Sequence, residues 1–450
     1  MAVAAGSEHT VVVAEDGSVF AFGLNSDGQL GTGNSDVQHT PTRIVGLHAP
    51  VRQVAAGDFH TGIVTDAGDL FMCGCGRYGR LGLGDHNKRN TPTMVARAVF
   101  DGEAVLMVAC GIYHTVVATE GGGVYTFGHG DWGQLGHGDQ NRQLVPRRVP
   151  AAAFNGERVV MVAAGCWHTV ALSEAGHVFT WGLGDNGRLG LGDETTELAP
   201  RQVEAWRFGG EKVVMMSAGY CHTVAVTAGG RLYTWGYNDF GQLGHVNNPG
   251  RLVPTLVGAG AFGGSAVVMA ACGHSHTLVV TQDGALWACG RGNHGQLGLN
   301  NVQNRRAFER VGAFDGTKVV VAAAGREYSA VVTEDGALWT WGRGDDGQLG
   351  HGNEENRLVP TPVPRDRFGG LRIGRCRVLP REHTLAFLMG TKRQNRGTVT
   401  VKTLAGEVSL FPMIRSWCAT VLPGLAGRME GVMRLCGGFH AWRQRRGVAG

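Results

Sequence analysis

One short phrase, a glycine-framed box ending in Gly-Gln-Leu-Gly or Gly-Arg-Leu-Gly, is written seven times along this chain. The copies begin at Gly23, Gly74, Gly128, Gly182, Gly236, Gly290 and Gly342, with spacings of 51, 54, 54, 54, 54 and 52 residues. A period this even means that one supersecondary unit has been copied, and that neighbouring copies bury each other's apolar faces. A length of 450 residues would otherwise suggest two or three domains. The repeat assigns residues 1–390 to one array and leaves 391–450 as a basic extension. Residues common to all copies build the frame; residues that differ are where a partner can be read.

One copy shows the local structure. Val159-Val-Met-Val-Ala-Ala-Gly165 and His168-Thr-Val-Ala-Leu172 are short apolar runs, His177-Val-Phe-Thr-Trp-Gly182 alternates, and Pro200-Arg-Gln-Val203 forms an outer edge. Glycine and acidic turns separate them, which predicts a four-stranded antiparallel meander. Seven such meanders stack radially, giving an all-β, seven-bladed β-propeller. One count does not balance, because eight Gly-x-x-His-Thr halves accompany seven boxes. Either one terminal half-blade is surplus or the two share a closing blade; seven blades are expected, with residues 371–390 taking part in closure. In the extension, Thr398–Thr403 and Glu407–Phe411 read as a hairpin and 413–422 and 425–436 as short helices, a small mixed unit.

The two halves of the repeat carry a family resemblance. Gly-x-x-His-Thr stands at Gly6–Thr10, Gly57–Thr61, Gly111–Thr115, Gly165–Thr169, Gly219–Thr223 and Gly273–Thr277, with altered copies at Gly325–Ser329 and Pro380–Thr384. With Trp-Gly-x-x-x-x-Gly-Gln-Leu-Gly, this resembles the regulator of chromosome condensation repeat over residues 2–390. The resemblance implies a protein-interaction propeller, a scaffold or adaptor, or an exchange factor acting on a Ran-like small GTPase. Such a factor needs no nucleotide pocket, because it binds the empty GTPase more tightly than the loaded one. The uniform blades depart from the Ran exchanger, which inserts a wedge in one blade. Two alternatives come with the same family. One is a sensor similar to the plant UV-B photoreceptor, whose repeats read Gly-Trp-Arg-His-Thr, although the residue after glycine is Trp in no copy here. The other is the substrate-recognising part of a ubiquitin ligase assembly, since no ligase domain accompanies the array.

Bulk properties narrow the classes. Glycine is extreme at 74 residues, yet 43% of the chain is hydrophobic, so the glycines punctuate strands rather than mark disorder. No run of 18 apolar residues occurs, which predicts no membrane span. The start, Met1–Gly6, reads as a repeat strand rather than a secretory leader. Ten cysteines contain no CxxC pair, and Cys110 and Cys272 share one small-residue position of the repeat, which suggests a reducing compartment, cytoplasm or nucleus. Residues 391–450 hold 10 basic and 2 acidic side chains, while 1–390 hold 31 and 35. Nucleic acid could therefore be met only through the basic tail.

No catalytic constellation emerges. The repeat histidines, His9, His60, His114, His168, His222, His276 and His383, belong to different blades and cannot converge on a metal, so they read as buried rings bonded to nearby backbone. Phe22, Cys73, Phe127, Trp181, Trp235, Cys289 and Trp341 read as core. Asp131, Asp185, Asp239 and Asp345 suit turns by accepting from backbone amides. No cofactor and no metal site is expected. The pair between Gly and His varies most, and equivalent turns should crowd it onto one face of the disc. Phe59, Tyr113, Trp167 and Tyr220, with Asp58 on the same face, would form an aromatic sector, and His274, Arg326 and Glu327 a polar one. That division matches the centre and rim of a protein interface.

Overall fold

The computed structural model describes residues 2–374 except 248, 313 and 315, together with 399–403 and 406–410. Seven four-stranded antiparallel sheets follow one another, each paired in chain order. Blade 1 comprises Val3–Ala5, His9–Val13, Val19–Gly23 and Gln38–Arg43. Blade 4 comprises Val159–Ala164, His168–Ser173, Val178–Gly182 and Glu197–Gln202, and blade 7 comprises Val319–Ala324, Tyr328–Thr333, Leu338–Gly342 and Arg357–Pro362. Each first strand packs on the first strand of the next blade, and that of blade 7 on that of blade 1, so the ring closes.

The burial pattern explains the sequence pattern. Second and third strands are buried along their whole length, as in His168–Ser173 and Val178–Gly182, save for half-buried Trp287 in blade 6. A sheet covered on both faces reads as a continuous apolar run rather than an alternation. Between blades 4 and 5, Val170, Leu172 and Val178 meet Ala225, Tyr233 and Trp235. The mixed column Phe22, Cys73, Phe127, Trp181, Trp235, Cys289 and Trp341 is wholly buried, as expected of core.

Closure answers the unbalanced count. In six blades the first strand begins with a valine opposite the end of the second, as Val51 faces Thr65 and Val159 faces Ser173. In blade 1 that place is taken by Ile373, bridged to Ala14, while Val3–Ala5 supply the rest of the strand. The two halves therefore share one strand. Gly374 N–H donates to Val13 O and Glu15 N–H to Arg372 O, both at 2.9 Å. Phe368 packs edge-on against Phe20 with centroids 5.4 Å apart. Residues 375–390, including the altered Pro380–Thr384 copy, lie outside the described residues.

The chain divides into two compact units, Met1–Arg377 and Val378–Gly450. In the second, Val399–Thr403 pairs antiparallel with Gly406–Leu410, the hairpin expected there. The segments 413–422 and 425–436 fall outside the described residues.

The repeat histidines are buried, but their partner is not backbone. Each donates from Nε2 to the hydroxyl of the next blade, His9 to Thr61, His60 to Thr115, His114 to Thr169, His168 to Thr223, His222 to Thr277 and His276 to Ser329, at 2.8–3.0 Å. Each hydroxyl spends its own proton on the box carbonyl of the preceding blade, as Thr115 does on Arg80 O at 2.7 Å and Thr169 on Gln134 O at 2.8 Å. The hydroxyl can then only accept from the ring, which fixes the Nε2–H tautomer. Blade 7 has Tyr328 in place of histidine; its hydroxyl lies 3.0 Å from that of Thr10 and donates to His9 O at 2.5 Å. Seven contacts thus complete the circle.

Two predictions follow from this belt. Thr115→Val strands His60 Nε2–H and Arg80 O, costing about 2–6 kcal/mol at ~1–3 kcal/mol per buried unpaired group. Thr169→Val should cost less, because Gln134 O keeps the bond from Trp181 Nε1 at 2.9 Å. Urea midpoints compare the two variants, and equal losses would contradict the assignment. The second concerns acid. Burial pulls the imidazoles down to about 4 at His9 and about 3 at His114, His222 and His276. Unfolded, they titrate at ordinary values near 6.5. Between these limits the unfolded chain binds more protons, so stability is full above about pH 6.5 and falls as pH drops towards 4. A melting temperature unchanged between pH 7 and 4.5 would refute this.

Candidate partner-binding face

The variable pairs occupy the turns that join first to second strand in every blade, at one end of the axis. The preceding glycine is demanded by space. A Cβ on Gly165 would stand 2.6 Å from Gly219 O and 2.2 Å from the His168 ring, and Gly6, Gly57, Gly111, Gly219 and Gly273 are equally confined. No other residue lets the turns crowd so near the axis. The first residues of six of the pairs, Asp58, Ile112, Cys166, Tyr220, His274 and Arg326, line an axial channel holding about 100 Å³. The second residues, among them Phe59, Tyr113, Trp167 and Glu327, are not part of its wall. All eight predicted site residues are half-buried except Arg326, which is exposed.

The aromatic residues separate into two groups. Tyr113 stacks on Trp167 at 4.5 Å and 19°, and His129 tilts against both at 6.0 and 5.5 Å. Tyr78 stands edge-on to Tyr113 at 5.9 Å and to His129 at 4.7 Å. Phe59 is tied to this group through Arg80, whose guanidinium lies 5.7 Å from Phe59, 5.6 Å from Tyr78 and 5.1 Å from Tyr113. Tyr220 belongs elsewhere, stacked on His274 at 3.9 Å.

Arg80 and its neighbours escaped the sequence reading, and the box explains how they arrive. In five boxes the third residue from the end is glutamine, whose Oε1 accepts the N–H two residues earlier, from Asp27, Trp132, Phe240, His294 and Asp346, at 2.9–3.2 Å. Arginine has no acceptor. In the two arginine boxes the same peptide presents its carbonyl instead. Arg80 Nε donates to Arg77 O at 3.0 Å and Arg188 Nε to Asp185 O at 2.8 Å. Turning that peptide over puts the following residue in left-handed space, Tyr78 at φ 63° and Asn186 at φ 58°. The Gly-Arg-Leu-Gly spelling was therefore the available signal. Three of the four box aspartates bond side chains rather than turn amides: Asp239 accepts from the Tyr237 hydroxyl, Asp345 pairs with Arg343 and Asp131 with His129.

Arg80 is 1% exposed, and its Nη1 donates to Ile112 O at 2.9 Å. Burial lowers its pKa. The described ion pairs give it no carboxylate. The other half of the face is paired. Arg343 reaches Glu8 at 3.3 Å, Glu327 at 3.6 Å and Asp346 at 3.6 Å, while Arg326 reaches Glu8 at 3.3 Å and Arg291 reaches Glu327 at 3.4 Å. Burial raises the carboxyls of Glu8 and Asp346 and pushes Asp58 up to about 7 against the opposing charge of Arg326. Among the described residues no group of three or more His, Cys, Asp or Glu is placed to hold a metal ion, and none of their helices is long and apolar enough to cross a membrane.

Comparison with known proteins agrees with this architecture. The RCC1-like domain model matches residues 100–378, and the regulator of chromosome condensation (RCC1) repeat models match 16–64 and 67–118 as well as 2–29 and 51–80. The ultraviolet-B receptor UVR8 of Arabidopsis thaliana is 36% identical over 80% of this chain and 81% of its own length. The secretion-regulating guanine nucleotide exchange factor of Bos taurus is 31% identical over 79% and 81%. Prp20p of Saccharomyces cerevisiae, whose crystal structure was described with its binding properties to Gsp1p and histones, superposes with a TM-score of 0.67 at 26% identity, over 77% of this chain and 86% of that one. The chain belongs to the regulator of chromosome condensation (RCC1) repeat family of β-propellers.

Proposed function

We propose that this propeller is a protein-interaction module whose aromatic and charged face docks a folded partner, and that the partner is a small GTPase whose nucleotide exchange it accelerates. The observation that carries the reading is Arg80, a buried cation among three rings that forms no ion pair with a described residue, Asp27 and Asp58 acting on it only from beyond ion-pair distance. Desolvating a charge is costly unless an opposite charge meets it. An acidic group on a partner supplies that charge at the centre of the face, where binding energy concentrates. The exchange-factor relative and the likeness to Prp20p support the GTPase class. A surface that holds the nucleotide-free state more tightly than the loaded state releases nucleotide without a catalytic residue. The seven described cysteines are all unpaired, which supports a reducing compartment, cytoplasm or nucleus. Light sensing draws no support from this face, where tryptophan follows the repeat glycine in no blade.

The test is release of a fluorescent GDP analogue from a purified Ran-type GTPase. Wild type should accelerate release. Arg80→Gln should fold, since five boxes carry glutamine there, yet lose about 2 kcal/mol of partner binding, roughly 30-fold in affinity. Acceleration by neither protein would remove the exchange activity. Equal acceleration by both would remove this face from it.

A further inference from the structure

The rim of the disc carries a second, unrelated feature. The fourth strand of each blade is a sheet edge, and an open edge invites another strand. Six blades blunt it with proline at one position: Pro41, Pro92, Pro146, Pro200, Pro254 and Pro360. The hydrogen-bond pattern shows why that position matters. Val149 N–H bonds inward to Val124 O at 2.8 Å, and Arg147 stands opposite Thr126. By alternation, the backbone nitrogens of residues 146 and 148 point away from the sheet. Proline at 146 removes one of these donors. Blade 7 removes both, with Pro360 and Pro362.

Blade 6 removes neither. Its fourth strand, Arg305–Val311, has Phe308 at the proline position and Arg310 where blade 7 has Pro362. Arg310 faces Trp287 and Val311 faces Leu286, the register in which Arg148 faces Tyr125, so the Phe308 and Arg310 N–H groups point outward. Phe308 is anchored, its ring 5.0 Å from Phe262. The neighbouring loop is also altered. In the other six blades a glycine or asparagine with positive φ (Gly33, Gly84, Gly138, Gly192, Asn300, Gly352) donates to a carbonyl near the start of the next edge strand. Blade 5 has Val246 there, outside that conformation and 75% exposed.

Charge on this edge selects the visitor. Arg306 and Arg310 are exposed, and neither is in an ion pair with a described residue, whereas Arg305 is held by Glu309 at 2.7 Å. We propose that the outer strand of blade 6 is a docking edge for an extended acidic peptide segment, which adds as a fifth strand. The Phe308 and Arg310 N–H groups donate to its backbone, and its carboxylates meet Arg306 and Arg310. A second copy of this chain is disfavoured as occupant, because pairing edge to edge would bring arginine against arginine.

The test pans a displayed twelve-residue random peptide library on the full chain, then measures the recovered peptides by fluorescence anisotropy. Arg310→Pro blunts the edge as blade 7 does, without touching the core, and Arg306→Glu/Arg310→Glu inverts its charge. Peptides rich in Asp and Glu are expected, losing at least tenfold in affinity to either variant and slowing amide exchange at 306–310 in wild type. Undiminished binding to both variants, or recovered peptides with no acidic bias, would overturn the proposal. So would a wild-type dimer that Arg310→Pro dissolves, because the edge would then serve a second copy. If Arg310→Pro failed to fold, the charge-inverted variant would decide.

Discussion

Everything in this molecule hangs on the belt of ring-to-hydroxyl bonds that links each blade to the next. A blade buries both faces of its two central strands and so has no stable existence alone. Apolar contact between blades is non-directional and would tolerate sliding. The His–Thr pair does not, because the Thr hydroxyl must reach the box carbonyl behind it while accepting from the ring in front. In three blades a Trp Nε1–H shares that carbonyl, from Trp181, Trp235 and Trp341. One short constellation therefore sets register, spacing and tautomer at once, and it explains why histidine, threonine and glycine recur where valine or alanine would suffice for burial.

The frame's rigidity is what lets single positions diverge. Replacing Gln with Arg in the box is a minor change in size but exchanges an acceptor for donors only. The peptide turns over, Tyr78 enters left-handed space, and a guanidinium lands among Phe59, Tyr78 and Tyr113. The same replacement at Arg188 leaves it between half-buried Cys221 and the turn, without such a cluster of rings. The face thus carries its individuality in a few substitutions whose backbone cost the surrounding ring absorbs. Opposite them, Glu8 and Arg343 join the first and last blades in an ion pair, so the charged sector exists only because the ring is closed.

Much of the fold was legible because each unit repeats the local rules of a meander: apolar runs of strand length, glycine turns, and a proline on the edge. The crowding of the variable pairs onto one face followed from equivalence of the copies, and the buried aromatic column from its mixed membership. The partner of His60 could not be read, since Thr115 lies 55 residues away and a backbone carbonyl accepts from an imidazole equally well. Nor could the separation of Tyr220 from the Tyr113 cluster, because offset along the chain does not reveal which rings touch.

The sequence by itself determined the strands of each blade, the frame residues and the turns that form the face. Local periodicity encodes these, since each depends on neighbours within one copied unit. Only the tertiary structure decided how the ring closes, with Ile373 completing the strand begun by Val3–Ala5, which hydroxyl each histidine meets, and where Arg80 is buried. Those contacts join different blades or opposite ends of the chain, and they leave no local signature because they exist only after the circle is complete.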